Sequence, residues 1–393
     1  MSTITCIFHN FSISTPHSII SKNMGNRVEY KHRKVSLISR NIPRFDLENL
    51  EIGAYRGSGT LSNVYNITIK SAPLPRREIR RSFRSDHGCN CEVVGNHSHY
   101  KFSTKDQDSG KTSNYVLKIP REDKLLSEES NVKSLLREAK TLASITHDNI
   151  IKLNGISSIE TMVQDQLQPS IPYFIILESL SHTLEEEYHS WVGKGIKHKY
   201  VDRMRLNVLY DISSAIHHLH EQNIIHRDIK PGNIGFTHQG CVKLFDFDLA
   251  VKLNPKEKQK DGLYDLPGGV GTCRYMAPEV AQFNNYNESA DIFSFGLLMW
   301  HVLALKIPFS KLSCTKWVEL VVFNGKRPTV SKRWPMAIQD LLIECWSDIA
   351  NRPNSSMVMN TLLDQLQSTP CGPKCSCILH NELNTKSSQS DEK

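Results

Sequence analysis

Eight consecutive residues, His226-Arg227-Asp228-Ile229-Lys230-Pro231-Gly232-Asn233, constrain this chain more than any other feature. They set an Asp, a Lys and an Asn at offsets 0, 2 and 5, so a base, a cation and a metal ligand can gather around one point. Thirteen residues beyond Asn233 comes Asp246-Phe247-Asp248, at the end of the short apolar run 242–245. Further on, Gly271-Thr272 leads past Cys273 to Arg274-Tyr275-Met276-Ala277-Pro278-Glu279. Polar groups spaced in this way are useful only if a folded chain brings them together. With 393 residues there is room for two to three domains of about 150 residues each.

The apolar patterning changes along the chain. Val132, Leu135, Leu136, Ala139 and Leu142 follow helical spacing, as do Leu209, Ile212, Ile216 and Leu219. Residues 64–69 and 115–119 read as strands, and 173–177 and 242–245 are short apolar runs rich in β-formers. Strands dominate up to residue 176 around one strong helix, and helices dominate beyond 179. This shift predicts a small strand-rich lobe followed by a larger helical one, and ligands commonly bind at such junctions. Gly57-Ser58-Gly59 opens a strand–turn–strand segment where the missing Cβ lets backbone N–H groups approach phosphate oxygens. An ordinary glycine hairpin fits those residues equally well. Lys118 stands inside the apolar run 115–119, and a buried ammonium needs an anion. Glu138, beside Leu135, Leu136 and Ala139, can supply one; a snorkelling lysine and a solvent-facing glutamate form the competing reading.

Charge separates the middle of the chain from two side segments. The formal net charge is +7. Residues 1–45 carry seven Lys/Arg against Glu29 alone, and residues 71–111 carry eight basic groups against five acidic ones. The first stretch is rich in Ser, Thr, Asn and His and reads as a disordered basic tail, with a transit peptide as the alternative. In the second, Arg76, Arg77, Arg80, Arg81 and Arg84 read as a solvated loop, with docking to phosphate or acidic partners as the sharper alternative. His87, Cys89, Cys91, His97 and His99 offer zinc ligands, but C-x-C with H-x-H is not a common structural zinc spacing. Ten cysteines are too sparse for a disulfide scaffold, and Cys371, Cys375 and Cys377 read as reduced thiols. No apolar run reaches the roughly 18 residues of a membrane span, since the longest, 295–305, is interrupted by His301.

In their order, the motifs from Gly57 to Glu279 resemble the signature set of the eukaryotic protein kinases. Asp291-Ile292-Phe293-Ser294-Phe295-Gly296, and Cys345-Trp346 followed by Arg352-Pro353, are closest in style to the tyrosine-kinase-like serine/threonine group. The resemblance implies an α+β, bilobal protein-kinase-like fold over residues 45–366. Its small β-rich N-lobe would take 45–178, with 71–111 as an insertion, and its larger α-helical C-lobe 179–366. A basic tail (1–44) and a flexible tail (367–393) would flank it. The implied activity is transfer of the ATP γ-phosphate to Ser or Thr hydroxyls of a protein substrate. ATP and Mg2+ would be the cofactors, the location intracellular, in cytoplasm or nucleus, and no nucleic acid or membrane span would be involved. A catalytically impaired scaffold with the same fold is the alternative.

The resemblance also assigns roles. Gly57, Ser58 and Gly59 match the phosphate-covering loop, and Val64 and Val116 join the adenine-binding set. Leu177 falls at the gatekeeper position, with Glu178 and Leu180 in the hinge that hydrogen-bonds adenine. Lys118 matches the lysine on the α- and β-phosphates, and Glu138 its helix partner. Asp228 matches the residue that accepts the substrate hydroxyl proton, and Asn233 and Asp246 match the magnesium ligands. Lys230 resembles the phosphate-binding lysine of serine/threonine kinases, with Thr272 as its loop partner. Glu279 and Arg352 would form a buried ion pair in the helical lobe. Three residues depart from the pattern: Ser62 replaces the third loop glycine, Asp248 replaces the glycine after Phe247, and Gly235 stands where a bulky apolar residue usually lies under adenine. The last change predicts a weakened or reshaped adenine floor. Gly268 occupies the usual phosphoacceptor place, which predicts that phosphorylation there is not the switch. Glu185, Glu186 and Glu187 favour basic substrates.

Overall fold

The computed structural model describes residues 42–59, 61–70, 114–121, 128–158, 173–194 and 201–369. The arginine cluster 76–84, the group from His87 to His99, both tails and the thiols of Cys371, Cys375 and Cys377 lie outside the described residues. Two compact units emerge: one takes the described part of 42–182 with Gly235–Lys252, the other Thr183–Ile234 with 253–369.

In the strand-rich unit, six strands form one sheet. They are β1 (Arg44–Phe45), β2 (Leu50–Ser58), β3 (Ser62–Ile69), β4 (Tyr115–Pro120), β5 (Leu153–Ser157) and β6 (Ile175–Glu178), in the order β1-β5-β6-β4-β3-β2. β1 runs parallel to β5, and the other neighbours are antiparallel. Phe45, Leu50, Ile67, Leu117, Ile119, Phe174 and Ile176 make a buried apolar layer. With Leu117 and Ile119 in that layer, the period of two turns Val116 and Lys118 to the opposite face of β4. The helix α1 (Glu128–Ala143) packs on β4 and β5 and buries Val132, Leu135, Leu136, Ala139 and Leu142. A short strand β7 (Val242–Leu244) is tied to the loop before β5, where Leu244 N–H donates to Asn149 O at 2.8 Å and Leu244 O accepts from Ile151 N–H at 2.9 Å.

In the helical unit, α2 (Leu184–Gly193) starts with a capping box. Glu186 N–H donates to Thr183 Oγ1 at 3.3 Å, and Thr183 N–H donates to Glu186 Oε2 at 2.6 Å. α3 (Arg203–Glu221) is capped by Asp202, whose Oδ1 accepts from Arg205 N–H at 2.9 Å. α4 (Ser289–Ala304) is buried from Ala290 to Ala304, which explains the long apolar run as a core helix. α5 (Met336–Cys345) packs on α4, and α6 (Ser355–Ser368) packs along α3. Arg352 forks onto Glu279 with bonds of 2.6 and 2.9 Å and donates to Ser289 O at 3.1 Å. Among the described residues no helix is long and apolar enough to cross a membrane.

Candidate active site

The strand-rich unit assembles a buried charged cluster from α1, β4 and residues 246–248. Register sets Gly57 opposite Val64 and Ser58 opposite Asn63, and Gly59 N–H donates to Ser62 O at 2.8 Å to close the turn. Ser62 itself is buried. Val64 lies opposite Lys118, and Val116 opposite Leu177, so the sheet aligns four of the expected nucleotide-site residues. Lys118 is 5% exposed and Glu138 0%, which rules out the snorkelling alternative. Lys118 Nζ donates to Glu138 Oε2 at 2.7 Å, Asp246 Oδ1 at 3.0 Å and Asp248 Oδ1 at 3.2 Å. An ammonium has three donors, so all three are engaged. Phe247 N–H donates to Glu138 Oε1 at 3.4 Å, fastening the Asp246–Asp248 turn to α1. Asp246 holds a left-handed backbone at φ 66°, a conformation that surrounding bonds must sustain.

Electrostatics follow from this crowding. Burial pulls the Lys118 ammonium down, but Asp246, Glu138 and Asp248 together hold it well above its ordinary value, so it stays charged. Burial pushes the Glu138 carboxyl up; Lys118 opposes that rise, while Asp248 and Asp246 add to it. The carboxylates of Glu138, Asp246 and Asp248 lie within 4.8 Å of one another.

Glu178, expected in the hinge, has its carboxylate committed elsewhere. Glu178 Oε1 accepts from Lys152 N–H at 2.7 Å and from Lys243 Nζ at 3.0 Å, and Ser179 N–H donates to Asn114 O at 3.0 Å. The space beside Gly235 is filled. A Cβ there would stand 2.6 Å from Leu180 Cδ1, so the hinge leucine already occupies that space.

The helical unit assembles the second cluster. Asp228 Oδ2 accepts from Lys230 Nζ at 2.7 Å and from Asn233 Nδ2 at 2.9 Å, while Oδ1 accepts from Thr272 N–H at 2.9 Å. Lys230 Nζ also donates to Thr272 Oγ1 at 2.9 Å, the partnership expected of these two residues. Asn233 Nδ2 further donates to Asp228 O at 2.9 Å, which spends its amide on the loop and leaves Oδ1 as an oxygen ligand. Gly271, at φ 100°, is required where it stands, because a Cβ would collide with the Arg227 carbonyl oxygen. Glu185 Oε2 lies 3.3 Å from where a Gly232 Cβ would be, which puts negative charge beside this loop.

Residue-by-residue reading of the sequence missed the group that shapes the loop. Asp291 Oδ2 accepts from His226 N–H at 2.8 Å, and its Oδ1 from Arg227 N–H at 2.9 Å; His220 Nε2 stands 3.2 Å from Oδ2. Burial pushes the Asp291 carboxyl up, but the bond and charge of His220 and the donors of the His226 segment win and hold it below its ordinary value. Arg227 is left-handed at φ 69°. The available signal was a carboxylate at the head of an otherwise apolar helix, which needs partners. Arg205 was missed too; it is 0% exposed and donates to Leu303 O at 2.8 Å, tying the first turn of α3 to α4.

Residues 88–362, most of the chain, match the family model described as protein tyrosine and serine/threonine kinase. The chain belongs to the protein kinase family, and its strand-rich and helical units are those of the α+β kinase fold. It is similar to serine/threonine-protein kinase STY17 of Arabidopsis thaliana, with 35% identity over 173 residues that cover 43% of this chain and 29% of that protein. It is also similar to mitogen-activated protein kinase kinase kinase 7 of Homo sapiens, with 26% identity over 256 residues that cover 63% of this chain and 38% of that protein. The chain thus spans well under half the length of these relatives.

Proposed function

We propose that this chain is a serine/threonine protein kinase that transfers the γ-phosphate of ATP to protein hydroxyls. The observation that carries this reading is the network in which one carboxylate, Asp228, is held by Lys230, Asn233 and the Thr272 backbone. Those three bonds fix the carboxylate's orientation, as a group that must accept a substrate hydroxyl proton requires. The Lys230–Thr272 bond supports serine/threonine rather than tyrosine specificity. Lys118, kept cationic by its carboxylates, is the proposed partner of the ATP phosphates. Val64, Val116, Glu178 and Leu180 are the proposed adenine contacts, and Gly57, Ser58 and Gly59 the proposed phosphate cover.

Asn233 Oδ1 and the part-exposed carboxylate of Asp246 are hard oxygen donors of the kind magnesium takes, so the residues fit that ion. When bound, magnesium supplies the positive field that phosphoryl transfer needs. The catalytic domain is proposed to run over 45–366, with the basic insertion 71–111 as a docking surface and an intracellular location. Glu185, beside Gly232, supports a basic protein substrate. The test is magnesium-dependent transfer from ATP to a generic basic protein, compared with Asp228→Ala. Transfer falls by about 10²-fold or more in the variant. Equal transfer by both proteins ends the enzyme reading.

A second reading, an impaired scaffold, is favoured by one observation. Asp248, absent from the family pattern, takes a Lys118 donor that a phosphate would otherwise use.

A further inference from the structure

The hinge residue Leu180 is gripped from two sides within the strand-rich unit. Arg56, the residue before Gly57 in β2, donates from Nη2 to Leu180 O at 2.7 Å and lies 3.5 Å from Ser181 O. The Leu180 side chain is seated against Gly235, with Cδ1 2.6 Å and Cβ 3.4 Å from the point a Cβ at 235 would take. Gly235 is buried, so this space is interior rather than open solvent. Ser181 N–H, next in the chain, donates to Phe236 O at 2.7 Å and ties the hinge to the same strand. Among the described residues no acceptor is paired with the Leu180 N–H.

We propose that Arg56, Leu180 and Gly235 together determine which nucleobase the site takes. The inference rests on the kinase reading of the hinge and deepens it. Leu180 supplies the floor beneath the base with its own side chain, in place of a bulky residue at 235. Its carbonyl already accepts from Arg56, whose positive charge opposes the approach of a second donor to the remaining lone pair. At this residue the hinge therefore offers one donor, the N–H, and only a disfavoured acceptor. A base with an acceptor at N1, adenine, pairs with that donor; guanine carries N–H there and does not. An amino group on the neighbouring C2 position is a further donor, and at the Leu180 carbonyl it meets the Arg56 guanidinium. The single Arg56 Nη2 bond to this carbonyl is charge-assisted, and a neutral amino group does not displace it.

Binding of ATP and of 2-amino-ATP to the full chain, measured by displacement of a fluorescent ATP analogue, tests both parts without requiring catalysis. The wild-type chain binds the two nucleotides within about twofold of each other, because the extra amino group gains no acceptor. Arg56→Ala frees the carbonyl and shifts the ratio toward 2-amino-ATP by about three- to tenfold, the effect of one hydrogen bond. Leu180→Ala keeps the backbone groups but empties the floor, and weakens both nucleotides by roughly tenfold. Leu180→Ala combined with Gly235→Leu restores binding, because the new leucine stands where the old one lay. Melting temperatures of all variants are recorded alongside, so that a loss of folding is not read as a loss of contact. An unchanged ratio in Arg56→Ala, or wild-type affinity in Leu180→Ala, overturns the proposal. A wild-type chain that binds neither nucleotide overturns the kinase reading itself, and this inference with it.

Discussion

Lys118 has three donors and three carboxylates, and this count decides what its neighbours do. Glu138 at 2.7 Å is the partner that the motifs implied, and Asp246 at 3.0 Å and Asp248 at 3.2 Å are two that they did not. A phosphate oxygen must compete for one of these donors, and a hydrogen bond to a charged group contributes about 1.5–3 kcal/mol. Asp248→Asn removes the charge of the third competitor while keeping the shape. It is expected to tighten ATP binding by roughly three- to tenfold, measured as Kd or KM for ATP. Unchanged or weaker binding would show that Asp248 is not a rival of the phosphates. At this scale the sequence was legible wherever a charge sat in an apolar pattern: Lys118 in β4 and Glu138 on α1 each demanded a partner. Leu180 was placed in the hinge, but not in the space above Gly235. No local pattern records that a missing side chain at one position is filled from another 55 residues away.

Secondary elements carry two further consequences. Between Leu253 and Met276 the only hydroxyl side chains are those of Tyr264, Thr272 and Tyr275. Tyr264 and Tyr275 are buried, and Thr272 Oγ1 is held by Lys230. At position 268 a Cβ would stand 2.6 Å from Phe283 Cα and 2.9 Å from Val280 O, so no larger phosphoacceptor fits there. This segment is expected to carry no activating phosphate. Phosphate mapping of active protein checks it, and a stoichiometric, activating phosphate at Thr272 or Tyr264 would sink it. In α4, His301 is buried with Nδ1 2.8 Å from the Tyr275 hydroxyl, faced by Arg274, His189 and the ring of Tyr188. Burial first, then the charges of Arg274 and His189, push its pKa down to about 4 from 6.5. The unfolded chain therefore takes up this proton first, and stability is lost as pH falls from about 6.5 to about 4. At pH 5 the loss is about 2 kcal/mol. His301→Gln should show a smaller drop in Tm between pH 7 and pH 5 than the wild-type chain; an identical drop would refute this. The helical spacing of α1 and α3 was plain from sequence, because each has one buried stripe. The edges of strands were not: β6 begins at Ile175, where pairing with Lys118 sets in, rather than at the start of its apolar run.

For the molecule as a whole, the sequence displayed the order of the motifs and the placement of charge, but not the bonds that hold distant segments together. The excess of positive charge lies in residues 1–45 and 71–111, nearly all of them outside the described residues, and the segments that carry the chemistry are close to neutral. Asp291 and Arg352 were visible as letters of motifs; what they fasten became readable only from the folded chain. Arg352 reaches back 73 residues to Glu279, and its side chain is 2% exposed against 11% for its partner. Its guanidinium also covers the ring of Phe293 at 5.0 Å and donates to Ser289 O at the α4 start. A pair this buried has small net worth against an apolar replacement, yet breaking it leaves one charge stranded. Arg352→Met alone should cost about 3–5 kcal/mol, because Glu279 loses its only forked partner. In a domain of this size that lowers Tm by roughly 10 °C. Glu279→Gln with Arg352→Met removes both charges and should recover more than half of the loss. Thermal unfolding of the two single variants and the double variant measures the coupling directly. Losses that simply add would mean that the two residues act independently, and that the helical unit is held by its apolar core alone.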